Sequence, residues 1–182
     1  MTLLLLRGRS AQPAVVPADT HKGETMTYND LLHRLRYALK LNGETIAGLC
    51  TLGGHDLAPI EALKLLKKDD ELGFIVCGDL VMGAFLDGLI LSRRGVQEQK
   101  TASATETAGA LNNNLILRKL RIALELNEEA MLALLATAGV KLSRSELSAM
   151  FRAKGQKNYK TCGDQFLRNF IRGLTLASKG SS

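Results

Sequence analysis

The chain has 182 residues, of which 46% are hydrophobic and 4% aromatic, and it contains no tryptophan. This length and composition are those of a globular protein with a sizeable core, and they exclude a small domain that needs disulfides or a metal to fold. Three cysteines, an odd number, argue against a disulfide framework and indicate a reducing compartment.

The first 25 residues differ in composition from the rest. The apolar run at residues 3–6 is far shorter than the ~7–15 residues of a signal-peptide core. Pro13 and Pro17 follow among scattered polar residues, so we predict a disordered leader over 1–25 and a natural start at Met26. No apolar stretch is long enough to span a bilayer, which favours a cytoplasmic protein without a membrane partner.

The rest of the chain contains two similar copies of one sequence unit, at an offset of 85 residues. The offset holds without a gap back to Asn29 and Asn114. We therefore predict two homologous repeats at 26–92 and 112–176. The clearest recurring pairs are Cys77 and Cys162, Gly78 and Gly163, Asp79 and Asp164, Phe85 and Phe170, Gly88 and Gly173, and Leu89 and Leu174.

Within each repeat, leucines at three- and four-residue spacing predict a first helix, at about 29–41 in the first copy. Asn42 and Asn127 can end the first helices and cap the second ones. Gly54 and Gly139 follow the second helices, where a left-handed closing residue is favoured.

Two more helices complete each repeat. Third helices are predicted to begin near 59 and 144, because Pro59 suits the first helical position and Ser143 to Glu146 fits a capping box. Fourth helices with a broad apolar face follow the two Cys-Gly-Asp triplets. The predicted fold is all-α: two homologous tandem repeats of about four short helices each.

The segment between the repeats, 93–111, is polar and rich in small residues, and we predict a flexible linker there. Residues 177–182 are predicted to be a disordered tail. We expect the two repeats to pack together through apolar faces with approximate two-fold symmetry.

The net charge of +6 is concentrated in the second repeat. Residues 27–95 carry 8 basic and 9 acidic side chains, whereas residues 112–176 carry 11 and 5. The asymmetry indicates an anionic partner for the second repeat, with a surface kept basic for solubility as the alternative.

Several motifs resemble the bacterial YehS-like family of tandem domains. They are Asn29-Asp30, residues 35–39, residues 112–124, residues 145–148 and residues 157–174. The resemblance covers 26–176. It implies two related domains, and it implies no established activity, cofactor or catalytic residue.

The matching Cys-Gly-Asp triplets at Cys77 and Cys162 suggest a redox-active or nucleophilic cysteine, because a helix N-terminus favours the thiolate. However, there is no Cys-x-x-Cys, and the three histidines neither recur at the 85-residue offset nor pair with the cysteines. We therefore favour small buried residues at helix starts. We predict no metal site and no cofactor.

Arg36 and Arg121, like Asp79 and Asp164, are charges that recur in both copies. Substrate binding is one interpretation. We favour a structural one, in which each aspartate helps to cap the fourth helix and each arginine bridges to it or to a helix end.

The second and third helices of each repeat resemble a helix-turn-helix in outline. In the second copy the candidate recognition helix is 143–154, which would expose Arg144, Ser148, Arg152 and Lys154. Lys141, Lys157 and Lys160 could meet phosphates, which position a protein without specifying sequence. The connection 139–143 is longer than the usual 3–4-residue turn of that motif.

The leading functional hypothesis is a non-enzymatic, regulatory binding module that contacts DNA or RNA through the basic second repeat. The rival hypothesis is a protein–protein interaction or scaffold module, including a homodimer, with no nucleic-acid role. A thiol-dependent enzyme is a third class, and it requires Cys77 and Cys162 to be accessible.

Overall fold

The computed structural model describes residues 25–94 and 111–180, and within these ranges it is helical without any strand. This confirms the all-α prediction. The helices of the first repeat are α1 (Tyr28–Leu39), α2 (Gly43–Leu52), α3 (Pro59–Leu65) and α4 (Asp79–Arg94). Those of the second repeat are α5 (Asn113–Ala123), α6 (Glu128–Thr137), α7 (Arg144–Ala149) and α8 (Asp164–Gly180).

The predicted caps are confirmed. Asn42 and Asn127 accept hydrogen bonds from Thr45 N and Ala130 N, each at 2.8 Å, and so satisfy amides at the starts of α2 and α6. Ser143 and Glu146 form the reciprocal capping box of α7. Gly54 and Gly139 have φ of 93° and 83°, the left-handed conformation expected after α2 and α6.

The fourth helices are longer than the sequence predicted. α4 continues to Arg94, so residues 93 and 94 are helical and do not belong to the linker. α8 continues to Gly180, so residues 177–180 are helical and not a disordered tail. The last turn of α8 is supported by α1, because Lys179 Nζ lies 5.3 Å from the ring centre of Tyr37. The predicted leader up to residue 24, linker residues 95–110 and tail residues 181–182 lie outside the described residues.

The first helix of each repeat packs against the fourth helix of the other repeat. α1 packs mainly against α8, and α5 packs mainly against α4, whereas α1 makes little contact with α4 and α5 little with α8. Within each repeat, the second helix packs against the fourth. Residues of both repeats therefore form one hydrophobic cluster, with Phe85 and Phe170 fully buried in it.

Polar contacts also join the two halves of the chain. Met26 N donates to Asp164 Oδ2 at 2.9 Å, and Tyr28 OH donates to the Leu111 carbonyl at 2.9 Å. Lys119 on α5 forms a largely buried ion pair with Asp87 on α4. In the part of the chain that the structure describes, no helix combines the length and apolar character needed to cross a membrane.

Candidate nucleic-acid interface

A side chain of α5 shapes the loop that leads from α7 to α8. Asn114 Nδ2 donates to the carbonyls of Met150 at 2.8 Å and Lys160 at 2.9 Å. Its Oδ1 accepts from Cys162 N at 3.0 Å. One asparagine thus fixes both ends of the loop 150–162. Asn29 plays the same part in the first repeat, where its partners are Leu65 O, Ile75 O and Cys77 N.

The candidate recognition helix is shorter than predicted. α7 ends at Ala149, so the prediction of a helix over 143–154 is wrong beyond that residue. The physical reason is that the Met150 carbonyl is bound by Asn114, while the chain turns back through a left-handed Gly155 (φ 92°). A helix of six residues makes fewer than two turns, which is too short to present a long row of side chains to a groove.

The seven residues proposed to contact nucleic acid lie around α7, and we call them the basic surface. Arg152, Lys154, Lys157 and Lys160 lie in the loop after α7, Lys141 and Arg144 lie at its other end, and Ser148 is exposed on the helix itself. The structure therefore brings residues from 141 to 160 around one short helix.

Three of these basic side chains are engaged within the protein. Arg144 Nη2 lies 2.9 Å from Glu129 Oε1, and Lys160 Nζ lies 3.6 Å from Glu146 Oε1. Arg152 Nη1 donates to the Lys157 carbonyl at 2.6 Å. The two ion pairs are exposed, and such pairs contribute little to stability and can be exchanged for another anion at little cost.

The pKa of Glu146 is lowered, mainly because its carboxylate accepts hydrogen bonds from the backbone and side chain of Ser143. Glu146 therefore remains ionised beside Lys160 at neutral pH. This carboxylate belongs to the capping box, so its charge reduces the positive potential at one side of the basic surface.

The recurrent aspartates are the first residues of α4 and α8. Asp79 Oδ1 accepts from Tyr28 OH at 2.7 Å, and burial together with this contact raises the pKa of Tyr28 to about 12. Asp164 accepts from Met26 N and from Asn113 Nδ2 at 2.6 Å. These partners are structural, because they tie the fourth helices to the chain starts of both repeats.

The recurrent arginines do not pair with these aspartates in the contacts that the structure shows. Arg121 Nε donates to the Leu126 carbonyl at 3.2 Å, just beyond the end of α5, and its guanidinium lies 4.8 Å from the ring centre of Phe151. Arg36 is exposed on α1. The bridge from Arg121 to a helix end is thus one of the two arrangements that the sequence suggested.

Arg36 lines an open cleft of about 530 Å³ between α1 and the end of α8. The lining includes no carboxylate; it consists of His33, Arg36, Tyr37, Lys40, Leu41, Ser178 and Lys179. Sequence reasoning missed this cleft because its two walls come from different repeats. The resemblance to the YehS-like family at residues 35–39 covers only the wall of the cleft that α1 forms.

The apolar counterpart of the basic surface was also missed. At the 85-residue offset, Lys157 corresponds to Leu72 and Ser148 to Leu63, and both leucines are exposed. This contrast is visible in the sequence at the positions where the two copies differ. The repeat itself is recognised from the positions where the copies agree, and these carry no sign of the contrast.

The cysteines of the two Cys-Gly-Asp triplets are buried, with Cys77 4% and Cys162 2% exposed. Burial raises the pKa of each thiol to about 12, with smaller contributions from Cys50 and Asp164 respectively. Burial therefore opposes the thiolate that a helix N-terminus would favour. The thiol-dependent hypothesis required accessible thiolates, and the structure contradicts that requirement.

We expect no modification of Cys50, Cys77 or Cys162 in the folded protein by an aromatic disulfide reagent at pH 7.5, and three modified thiols in guanidinium. The pKa of Cys77 and Cys162 is higher in the folded state than the usual 9.0, so their contribution to stability is full below about pH 9. It is lost as pH rises from 9 toward 12. Rapid labelling of a folded chain at pH 7.5 would refute the assignment.

Among residues 25–94 and 111–180, no group of three or more histidine, cysteine or acidic side chains is placed to hold a metal ion. The three cysteines are free thiols.

The comparison with known proteins agrees with the repeat. The family described as "Protein of unknown function (DUF1456)" matches residues 28–95 and again residues 113–180. The chain is 42% identical to the "Uncharacterized protein YehS" of Escherichia coli (strain K12) over 149 residues, which is 82% of this chain and 94% of that protein. No solved structure matches the chain.

Proposed function

The chain belongs to the DUF1456 family, and because that description assigns no activity, we propose from the geometry that it is a non-enzymatic binding module whose second repeat contacts the phosphate backbone of DNA or RNA. Its free, buried thiols are in keeping with a reducing cytoplasm.

The observation that carries this proposal is the charge contrast between equivalent surfaces. Lys141, Lys154 and Lys157 are exposed on the second repeat, and the first repeat has Asp56, Asp69 and Leu72 at the same positions. A shared fold therefore does not require these lysines. Lysines gathered around one short helix form the footprint on which a polyanion can release its counterions.

The mode of contact follows from the short α7. Base reading needs several side chains projecting from a helix into a groove. Of the seven proposed contact residues, only Arg144 and Ser148 lie on α7 itself. Backbone contact by lysines is the mode that remains, and it gives similar affinity for different sequences.

The test is a fluorescence-anisotropy titration of the full chain with labelled duplex DNA and RNA at about 50 and 200 mM salt, a range over which phosphate contacts weaken strongly. We expect the variant Lys154→Gln/Lys157→Gln to bind about tenfold or more weakly at the lower salt. Its log–log salt slope should fall by roughly 0.9 for each phosphate that the variant no longer neutralises.

The matched control removes two charges from the first repeat, as Lys68→Gln/Arg93→Gln. Both side chains are exposed. If this control weakens binding as much as the second-repeat variant does, non-specific attraction by net charge explains the binding. Absence of binding at 50 mM salt would reject the proposal.

A protein-binding scaffold is the second candidate function. The exposed apolar residues of the first repeat favour it, because large apolar side chains left in water in one area mark contact sites. Such binding would depend little on salt, in contrast to contact with phosphates.

A further inference from the structure

Large hydrophobic side chains are left exposed on one repeat only. In the described ranges, all the exposed large hydrophobic residues belong to the first repeat. Five of them come from α3, the segment before α4 and the first turn of α4, and we call these five the apolar surface. They are Ile60 (60% exposed), Leu63 (50%), Leu72 (95%), Val76 (76%) and Leu80 (79%).

Hydrogen bonds hold these chain segments side by side. Asn29 Nδ2 donates to the carbonyls of Leu65 and Ile75, both at 2.9 Å, and so ties the end of α3 to the segment before α4. Ile75 N in turn donates to the Lys64 carbonyl at 3.5 Å. Val76 therefore lies beside the end of α3, and Leu80 follows within the first turn of α4.

The fold does not need these residues to be apolar. At the equivalent positions the second repeat has hydrophilic residues, namely Ser145, Ser148, Lys157, Thr161 and Gln165. Both repeats nevertheless form the same four helices. The first repeat therefore carries an apolar surface that its own folding does not explain.

We propose that the apolar surface is the contact with a second copy of this chain, in a two-fold symmetric dimer. The five side chains together expose on the order of several hundred Å², a size that marks interaction sites on soluble proteins. With its polar rim, such an area approaches the ~800 Å² per partner of a stable interface.

In this dimer the apolar surface of one copy contacts the apolar surface of the other copy. If the apolar surface of one copy met the equivalent surface of the second repeat, Leu72 and Leu80 would face Lys157 and Gln165. A two-fold contact instead covers both apolar surfaces at once and closes the assembly at two copies.

Charge favours the same arrangement. Residues 27–95 carry 8 basic and 9 acidic side chains, whereas residues 112–176 carry 11 and 5, so contact between first repeats joins nearly neutral halves and keeps the basic halves apart. Beside Leu72 the exposed run Lys68-Asp69-Asp70-Glu71 carries both signs. Such a run can pair with itself across a two-fold axis.

The test is sedimentation velocity of the full chain across the micromolar concentration range. We expect a dimer, and we expect Leu72→Lys/Leu80→Gln to weaken the dimer about a hundredfold or more, since fully covered anchors dominate an interface. Both replacements are the residues of the second repeat. The circular dichroism and thermal midpoint of the variant should remain close to those of the unchanged chain.

The matched control is Tyr37→Ile, which exchanges an exposed hydrophobic residue outside the apolar surface (61%) for the residue of the second repeat, Ile122. The Tyr37 ring faces Lys179 near the end of α8, and Tyr37 lies about 12 Å along α1 from Asn29, which binds the chain segments of the apolar surface. The control should leave the dimer unchanged.

A chain that stays monomeric at every concentration overturns the proposal, and so does a double variant that dimerises like the unchanged chain. An open series of larger oligomers would overturn the two-fold arrangement. The nucleic-acid titration of the same double variant separates this proposal from the proposed function, because the two surfaces share no residue.

Discussion

Gly88→Ala is expected to disrupt the packing of α2 on α4. A Cβ at Gly88 would lie 1.8 Å from the Leu49 carbonyl oxygen and 2.6 Å from its carbon. These are backbone atoms within a helix, so they cannot rotate aside as a flexible side chain could. The two helices would have to separate, and the core around Phe85 would pack less closely.

We expect Gly88→Ala to lower the free energy of unfolding by about 3 kcal/mol or more, the upper range for overpacking a core. Urea unfolding followed by circular dichroism measures this change. Gly173→Ala should have a similar effect in the second repeat, because its Cβ would lie 2.1 Å from the Leu134 carbonyl oxygen.

The matched control is Gly83→Ala on the same helix. A Cβ at Gly83 meets nothing within 4 Å, and its backbone is helical. This substitution should raise stability by roughly 0.5–1 kcal/mol, because alanine loses less conformational freedom than glycine on folding. If Gly88→Ala proves as stable as Gly83→Ala, the close approach of α2 and α4 is not as described.

Asn29→Ala is expected to destabilise the protein by about 3 kcal/mol or more. Asn29 is 7% exposed and holds three backbone groups: the carbonyls of Leu65 and Ile75 and the amide of Cys77. Each buried group left without a partner costs about 1–3 kcal/mol. Alanine provides none of these hydrogen bonds, and the end of α3 would separate from the segment before α4.

Urea unfolding measures the destabilisation, and hydrogen exchange locates it, since the Cys77 amide should exchange much faster in the variant. The control is Asn112→Ala, which removes one exposed cap, the hydrogen bond from Leu115 N at 3.0 Å. Removing a cap of this kind costs about 1 kcal/mol. Equal destabilisation in the two variants would show that Asn29 acts only as a local cap.

The caps and helix starts could be predicted because their contacts are local. Asn42, Asn127 and Ser143 each bond to a backbone group three residues away, so the residue types along the chain reveal the contact. The recurrence at 85 residues predicted the second repeat from the first in the same way. The family model matches residues 28–95 and 113–180, which are the same two repeats.

The length of the candidate recognition helix could not be predicted in this way. The helical periodicity of Leu147 and Met150 continues past the point at which the helix stops. What ends α7 is Asn114, 36 residues earlier in the chain, whose side chain takes the Met150 carbonyl. No local pattern reports a partner at that separation.

By itself the sequence determined that the chain is helical, that it consists of two copies of one unit, and that the copies differ in charge, since these follow from spacing and composition. Only the tertiary structure decided that α1 packs on α8 and α5 on α4, and that the walls of the cleft at Arg36 come from both repeats. The physical reason is that helical hydrogen bonds close within about four residues, whereas the choice of packing partner depends on which apolar faces fit each other across the whole chain.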